Sequence, residues 1–168
     1  MRHETDTHGW VLKALREAGS ALVSELYGLN DQEMSSCPVA DEWSLKEIAA
    51  HLRDAEELAL AQLTAIAEAK RGPLPAWDVD LLPLERDYQA GDPDEARSQY
   101  SRLRRETTYL LWGLTDADWQ RAAQHPYRGR VTLGQLAREL AQHDLEHLWQ
   151  VRRIKAELLE AVSPGEED

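Results

Sequence analysis

The 168-residue chain has one cysteine, no phenylalanine and no excess of positive charge. A lone Cys37 cannot close an internal disulfide, so nothing in the sequence points to an oxidising compartment. Nineteen Lys and Arg stand against 31 Asp and Glu, a formal net charge of −12. Nucleic-acid binders cluster cations against phosphate, and this balance argues against such a partner. No apolar run approaches the ~20 residues that span a bilayer. The opening residues 1–6 lack the apolar segment of a secretory signal. A cytoplasmic protein with no membrane partner is expected. The nine glycines are scattered, and neither GxGxxG nor GxxxxGK(S/T) occurs, so a phosphate-cradling loop is absent. No sustained heptad and no convincing strand alternation are present either.

What remains is helical periodicity. Residues 8–29 carry Val11, Leu15, Ala18, Leu22 and Leu26 on one stripe, with Gly19 inside it at a mild cost. A second helix starts at Ser44, where Ser44 and Glu47 form a capping box. It continues through Leu45, Ile48, Leu52, Ala55, Ala59, Leu63 and Ile66 until Arg71-Gly72-Pro73 stops it. A third opens at Asp92-Pro93 and carries Tyr100, Leu103, Thr107, Leu110, Leu111 and Leu114. A fourth opens at Thr132, with Gln135 three residues later expected to complete another capping box. It carries Leu133, Leu136, Leu140, His143, His147, Val151, Ile154 and Leu158. The connections are long. Residues 30–43 hold one helical turn capped by Asn30. Residues 72–91, with Pro73, Pro75 and Pro83, show no regular element. A short helix is expected over 116–121. The pattern predicts an all-α four-helix bundle with long crossover connections, one domain over residues 1–162 and an acidic tail over 163–168.

Chemistry concentrates in the histidines. His143 and His147 are four apart, one above the other on a helix face, and can converge on one divalent ion. The segment is not H-E-x-x-H, because Asp144 follows His143. Both histidines fall on the apolar stripe, where an unpartnered imidazole is costly. The competing reading is a pair of core histidines bonded to backbone, carboxylate or each other. His51 borders the buried face of the second helix, where a bundle can bring it against that pair. Three imidazoles leave coordination positions open, as catalytic sites do. Imidazole suits Zn, Ni, Fe or Cu alike. Asp54 and Asp144 are near enough to steady these histidines; a solvated charge is the competing reading of both, and the plainer one for Asp144. His3, His8 and His125 are expected to be peripheral, Glu146 to lie on the surface, and Cys37 to be an inert loop thiol.

Two stretches together resemble the DinB-like superfamily. One is Trp43-Ser44-Leu45-Lys46-Glu47-Ile48-Ala49-Ala50-His51-Leu52-Arg53-Asp54, a Trp before a capped helix with His about two turns in. The other is Thr132-Leu133-Gly134-Gln135-Leu136 leading to His143-Asp144-Leu145-Glu146-His147-Leu148-Trp149-Gln150. The resemblance covers nearly the whole chain. It implies a metal triad of His51, His143 and His147 on a divalent transition metal, Zn or Ni, and a homodimer. It also implies a metal-dependent enzyme of the thiol S-transferase or hydrolase type. Such an enzyme acts on a small-molecule substrate, with a low-molecular-weight thiol as a candidate cosubstrate. The alternatives are a non-catalytic metal-binding stress-response protein and a purely structural bundle. No residue is assigned a catalytic role; loop residues near Trp77, Asp78 and Tyr88 are where such a choice would lie.

Overall fold

Four long amphipathic helices account for most of the chain. A computed structural model describes residues 2–79 and 81–162, with side chains from 7 to 79 and from 81 to 161. The acidic tail 163–168 and the His3 side chain lie outside the described residues. The elements are α1 (Arg2–Leu26), α2 (Asp31–Ser35), α3 (Leu45–Ala67), α4 (Leu82–Glu85), α5 (Pro93–Trp112), α6 (Asp116–Gln120), β1 (Ala122–His125), β2 (Gly129–Thr132) and α7 (Leu133–Val162). No helix among the described residues is long and apolar enough to cross a membrane.

The expected start signals operate. Ser44 accepts from the Glu47 amide while the Glu47 carboxylate accepts from the Ser44 amide, and Asn30 and Glu33 pair in the same way. Asp92 caps α5 with Pro93 in its first turn. Thr132 accepts from the Gln135 amide, but the Gln135 side chain turns to Glu139 instead of closing a box. α3 stops before the expected Arg71-Gly72-Pro73. Ala69, at φ +51°, takes the left-handed position that ends the helix, and the Lys70 amide reaches back to the Ala65 carbonyl.

Around the bundle the packed pairs are α1 with α5, α5 with α3, α3 with α7 and α7 with α1. Two apolar clusters fix the directions. One holds Leu15, Leu63, Ile66, Leu111, Leu133 and Leu140. The other holds Leu22, Leu26, Ile48, Leu52, Tyr100, Val151 and Ile154. Helices α1 and α7 run from the first cluster to the second, and α3 and α5 run the opposite way. The neighbours α3 and α5 are therefore parallel, so the chain must return the length of the bundle between them. That return is the long connection 68–92.

Two expectations are corrected here. Residues 72–91 do contain a short helix, α4, because Pro83 fits a first turn and Leu82 buries against Ala50 and Tyr88. Residues 122–132 form an antiparallel hairpin, pairing Ala122 with Thr132 and His125 with Gly129. Its sequence hides it, since only Val131 and Thr132 favour a strand. Buried His125 holds the turn: its Nδ1 accepts from the amides of Tyr127 (3.1 Å) and Arg128 (3.3 Å).

Candidate functional site

His51 lies two turns after the Ser44 cap of α3, and His143 and His147 lie one turn apart on α7. These helices are antiparallel neighbours, so the three rings meet across their seam. Nε2 of His143 is 2.9 Å from Nε2 of His51 and 3.1 Å from Nε2 of His147. One ligand atom from each histidine lies within 4.8 Å of the other two. Ring centroids are 4.4–5.1 Å apart.

The outer nitrogens define what the inner ones present. Nδ1 of His143 sits 3.1 Å from Asp144 Oδ1, and Nδ1 of His147 sits 2.9 Å from Gln150 Oε1. Both partners are acceptors, so both Nδ1 atoms donate and both Nε2 atoms offer lone pairs. Two lone pairs facing each other at 3.1 Å need a cation or a proton between them. His51 can donate one N–H toward His143, which leaves the His143–His147 contact unmet. Nδ1 of His51 is buried without a partner, and the ring rests against Trp43 at 4.7 Å. Burial, then the neighbouring imidazoles, push His51 down to about 3, and burial followed by His143 lowers His147. Both are held neutral, the form a metal requires. The His143 side chain keeps 29% exposure, so the cluster has a wet side.

Asp144 corrects its reading as a solvated charge. It is buried, because its Oδ2 accepts from Arg104 Nη2 and from Tyr100 Oη at 3.0 Å. Burial alone would raise its pKa. The His143 hydrogen bond and the Arg104 charge outweigh it and hold the carboxyl below its usual range. Asp54 is also buried, but its hydrogen bonds go to groups other than the histidines. It accepts from Arg53 (3.0 Å), Arg86 (2.6 Å) and Tyr88, and so clamps the 68–92 connection onto α3. His8, expected to be exposed, stacks on Trp119 at 4.3 Å with only 15% of its side chain accessible. Cys37, Glu146 and Trp149 are exposed as loop or surface residues.

Arg104 and Glu56 are the residues the periodicity overlooked. Arg104 Nε and Nη2 reach the two oxygens of Glu56 at 2.9 and 2.6 Å, and Nη1 reaches the Leu15 carbonyl at 2.8 Å. One guanidinium thus touches α1, α3 and α7 from α5. The signal was present: Tyr100, Arg104, Thr107 and Leu111 are spaced 4, 3 and 4, and that set is the buried stripe. Leu103, which the apolar spacing places on the stripe, is only half-buried.

Comparison with known proteins follows the same outline. The sequence profile of the DinB superfamily matches residues 14–151. YuaE of Bacillus subtilis, an uncharacterized protein, is 24% identical over 88% of this chain and 98% of its own length. A protein of Oceanobacillus iheyensis, named as a candidate metal-dependent hydrolase, is 22% identical over 88% of this chain and 84% of its own. Among solved structures, YfiT of Bacillus subtilis superposes with a TM-score of 0.81 at 17% identity, covering 90% of this chain and 87% of YfiT. It is described as a candidate metal-dependent hydrolase with an unusual four-helix bundle topology. A mycothiol-dependent maleylpyruvate isomerase superposes with a TM-score of 0.71 at 10% identity, over 86% of this chain and 60% of the isomerase. At these identities the two structures establish the shared fold.

Proposed function

The chain belongs to the DinB superfamily, and on that premise we propose that it is a metal-dependent enzyme acting on a small molecule, with His51, His143 and His147 holding one divalent transition ion. The observation that carries this reading is the set of three Nε2 atoms with two Nδ1 positions already satisfied. Zinc or nickel suits such a neutral-imidazole set. When bound, the ion supplies a Lewis acid that makes a coordinated water or thiol acidic at neutral pH.

The chain's own residues prepare that site. Asp144 and Gln150 fix the tautomers of His143 and His147, which points both lone pairs inward. Trp43 and the burial of His51 keep one flank dry, while His143 leaves the other open to a substrate. The name of the Oceanobacillus relative supports water as nucleophile and hence hydrolysis. The fold shared with the mycothiol-dependent isomerase supports the second reading, a low-molecular-weight thiol as nucleophile or cosubstrate. Cys37 is exposed in a loop, so in that reading the thiol arrives from outside.

Elemental analysis of purified protein is the direct test. About one equivalent of transition metal per chain is expected, and His147→Ala should remove it. Metal content unchanged in His147→Ala, or absent from the wild type, would overturn the reading. Hydrolysis of activated esters against conjugation of a thiol to a generic electrophile then separates the two chemistries. Loaded protein inert in both assays would favour a non-catalytic metal protein.

A further inference from the structure

Gly19, in the middle of α1, does not touch the histidine cluster and weakens the helix that carries it. Its surroundings explain its presence. A Cβ added there would lie 3.0 Å from Cγ and 3.2 Å from Nη1 of Arg104. The glycine therefore makes room for a guanidinium whose Nη2 bonds Asp144, the carboxylate whose other oxygen holds Nδ1 of His143. The path Gly19, Arg104, Asp144, His143 is continuous, and everything before His143 is buried. Glu56 grips the Nε and Nη2 edge of the same guanidinium through two bonds, sharing Nη2 with Asp144, and Nη1 is held by the Leu15 carbonyl, so Arg104 has little freedom to follow Asp144 if it moves.

We propose that Arg104 is a positioning residue for His143, acting through Asp144, and that Gly19 is the void that lets it stand there. This rests on the metal reading for its consequence, but its geometry concerns the tautomer and direction of one imidazole. Arg104 fixes which lone pair of Asp144 remains for His143, and Asp144 fixes which nitrogen of His143 faces the other two rings.

The test uses full-length protein with zinc and cobalt(II) as probes. Asp144→Asn and Arg104→Gln should weaken zinc binding, read against a competing chelator, by roughly 10–100-fold. Arg104→Lys, which can satisfy one carboxylate but not both, should fall between them and wild type. The cobalt(II) absorption bands should shift in each. Gly19→Ala discriminates further. Alanine favours helix, so a merely structural glycine predicts equal or greater thermal stability with unchanged metal binding. The positioning role predicts several-fold weaker zinc binding together with a shifted cobalt spectrum. In metal-free protein, nitrogen NMR should show His143 as a single Nδ1–H tautomer that becomes mixed in Asp144→Asn and in Gly19→Ala. Variants that fold yet keep the wild-type tautomer, zinc affinity and cobalt spectrum would overturn the proposal. A wild type that shows the fixed tautomer but binds no zinc would sink the metal reading and leave the positioning of His143 standing.

Discussion

At the two ends of the bundle the helices meet through Leu, Ile and Val; at its middle they meet through Arg104, Glu56 and Asp144. The ends are held by burial of apolar surface, which is non-directional and tolerates compensating changes of shape. The middle depends on atoms placed to a few tenths of an ångström. Two carboxylates share one guanidinium there, leaving one negative charge in excess inside the protein. That excess lies directly behind His143, where a dication would balance it. The ends make the bundle stable, and the middle sets the direction of a ring.

Breaking the middle should have the largest effect. Arg104→Met leaves Glu56 and Asp144 buried without their cation and is expected to cost ~3–5 kcal/mol in urea unfolding of metal-free protein. Converting all three positions to apolar residues of similar volume should recover most of that loss while zinc binding stays weakened. A triple variant as unstable as the single one would mean that the layer, and not its charge balance, is what the bundle requires. An end-layer cavity is the contrasting case. Leu22→Ala should cost about 3 kcal/mol by the same measurement and leave zinc affinity at the wild-type level.

Acid should sharpen the contrast further. His51 has a pKa near 6.5 unfolded and about 3 folded, so between these values the unfolded chain binds a proton that the folded chain does not. Stability of the metal-free protein should therefore fall as pH drops from 6.5 toward 3, by up to ~1.4 kcal/mol per pH unit from this group. His147 acts in the same direction. Between pH 6.5 and 4.5 the slope should flatten in His51→Gln; an unchanged slope there would assign the effect elsewhere. The smallest change concerns neither layer. Ala69→Gly relieves a left-handed alanine at the end of α3 and should stabilise by about 1 kcal/mol or less, seen as a small rise in Tm.

The sequence exposed the helices because periodicity and caps are local. Ser44 with Glu47, and Asp92 with Pro93, announce starts that need no tertiary information. The same pattern put His143 and His147 on a buried stripe, and His51 beside one. Arg104 escapes the pattern because an arginine on a core stripe contradicts its average behaviour, and the apolar spacing runs one residue away through Leu103. Asp144 reads as solvated for the same reason: its partner Arg104 sits 40 residues away, beyond any local pattern. The hairpin at 122–132 was hidden because its stability comes from His125 capping the turn and from the Leu74 amide bonding Gln124, neither of which alternates along the strand.

The order of the helices around the bundle also bears on how the chain assembles. No two consecutive long helices form an antiparallel hairpin; α3 and α5 are neighbours but parallel, and the other packed pairs are further apart in sequence. Every contact between two of the long helices therefore closes a long loop before it is rewarded. An up-and-down bundle of equal size begins with short hairpins and folds fast. This chain must bring α7 back to α1 and α3 late, so its refolding, followed by stopped-flow fluorescence of its tryptophans, should be slower than helix content alone suggests. The imidazole cluster, split between residues 51 and 143, exists only once that last helix has docked.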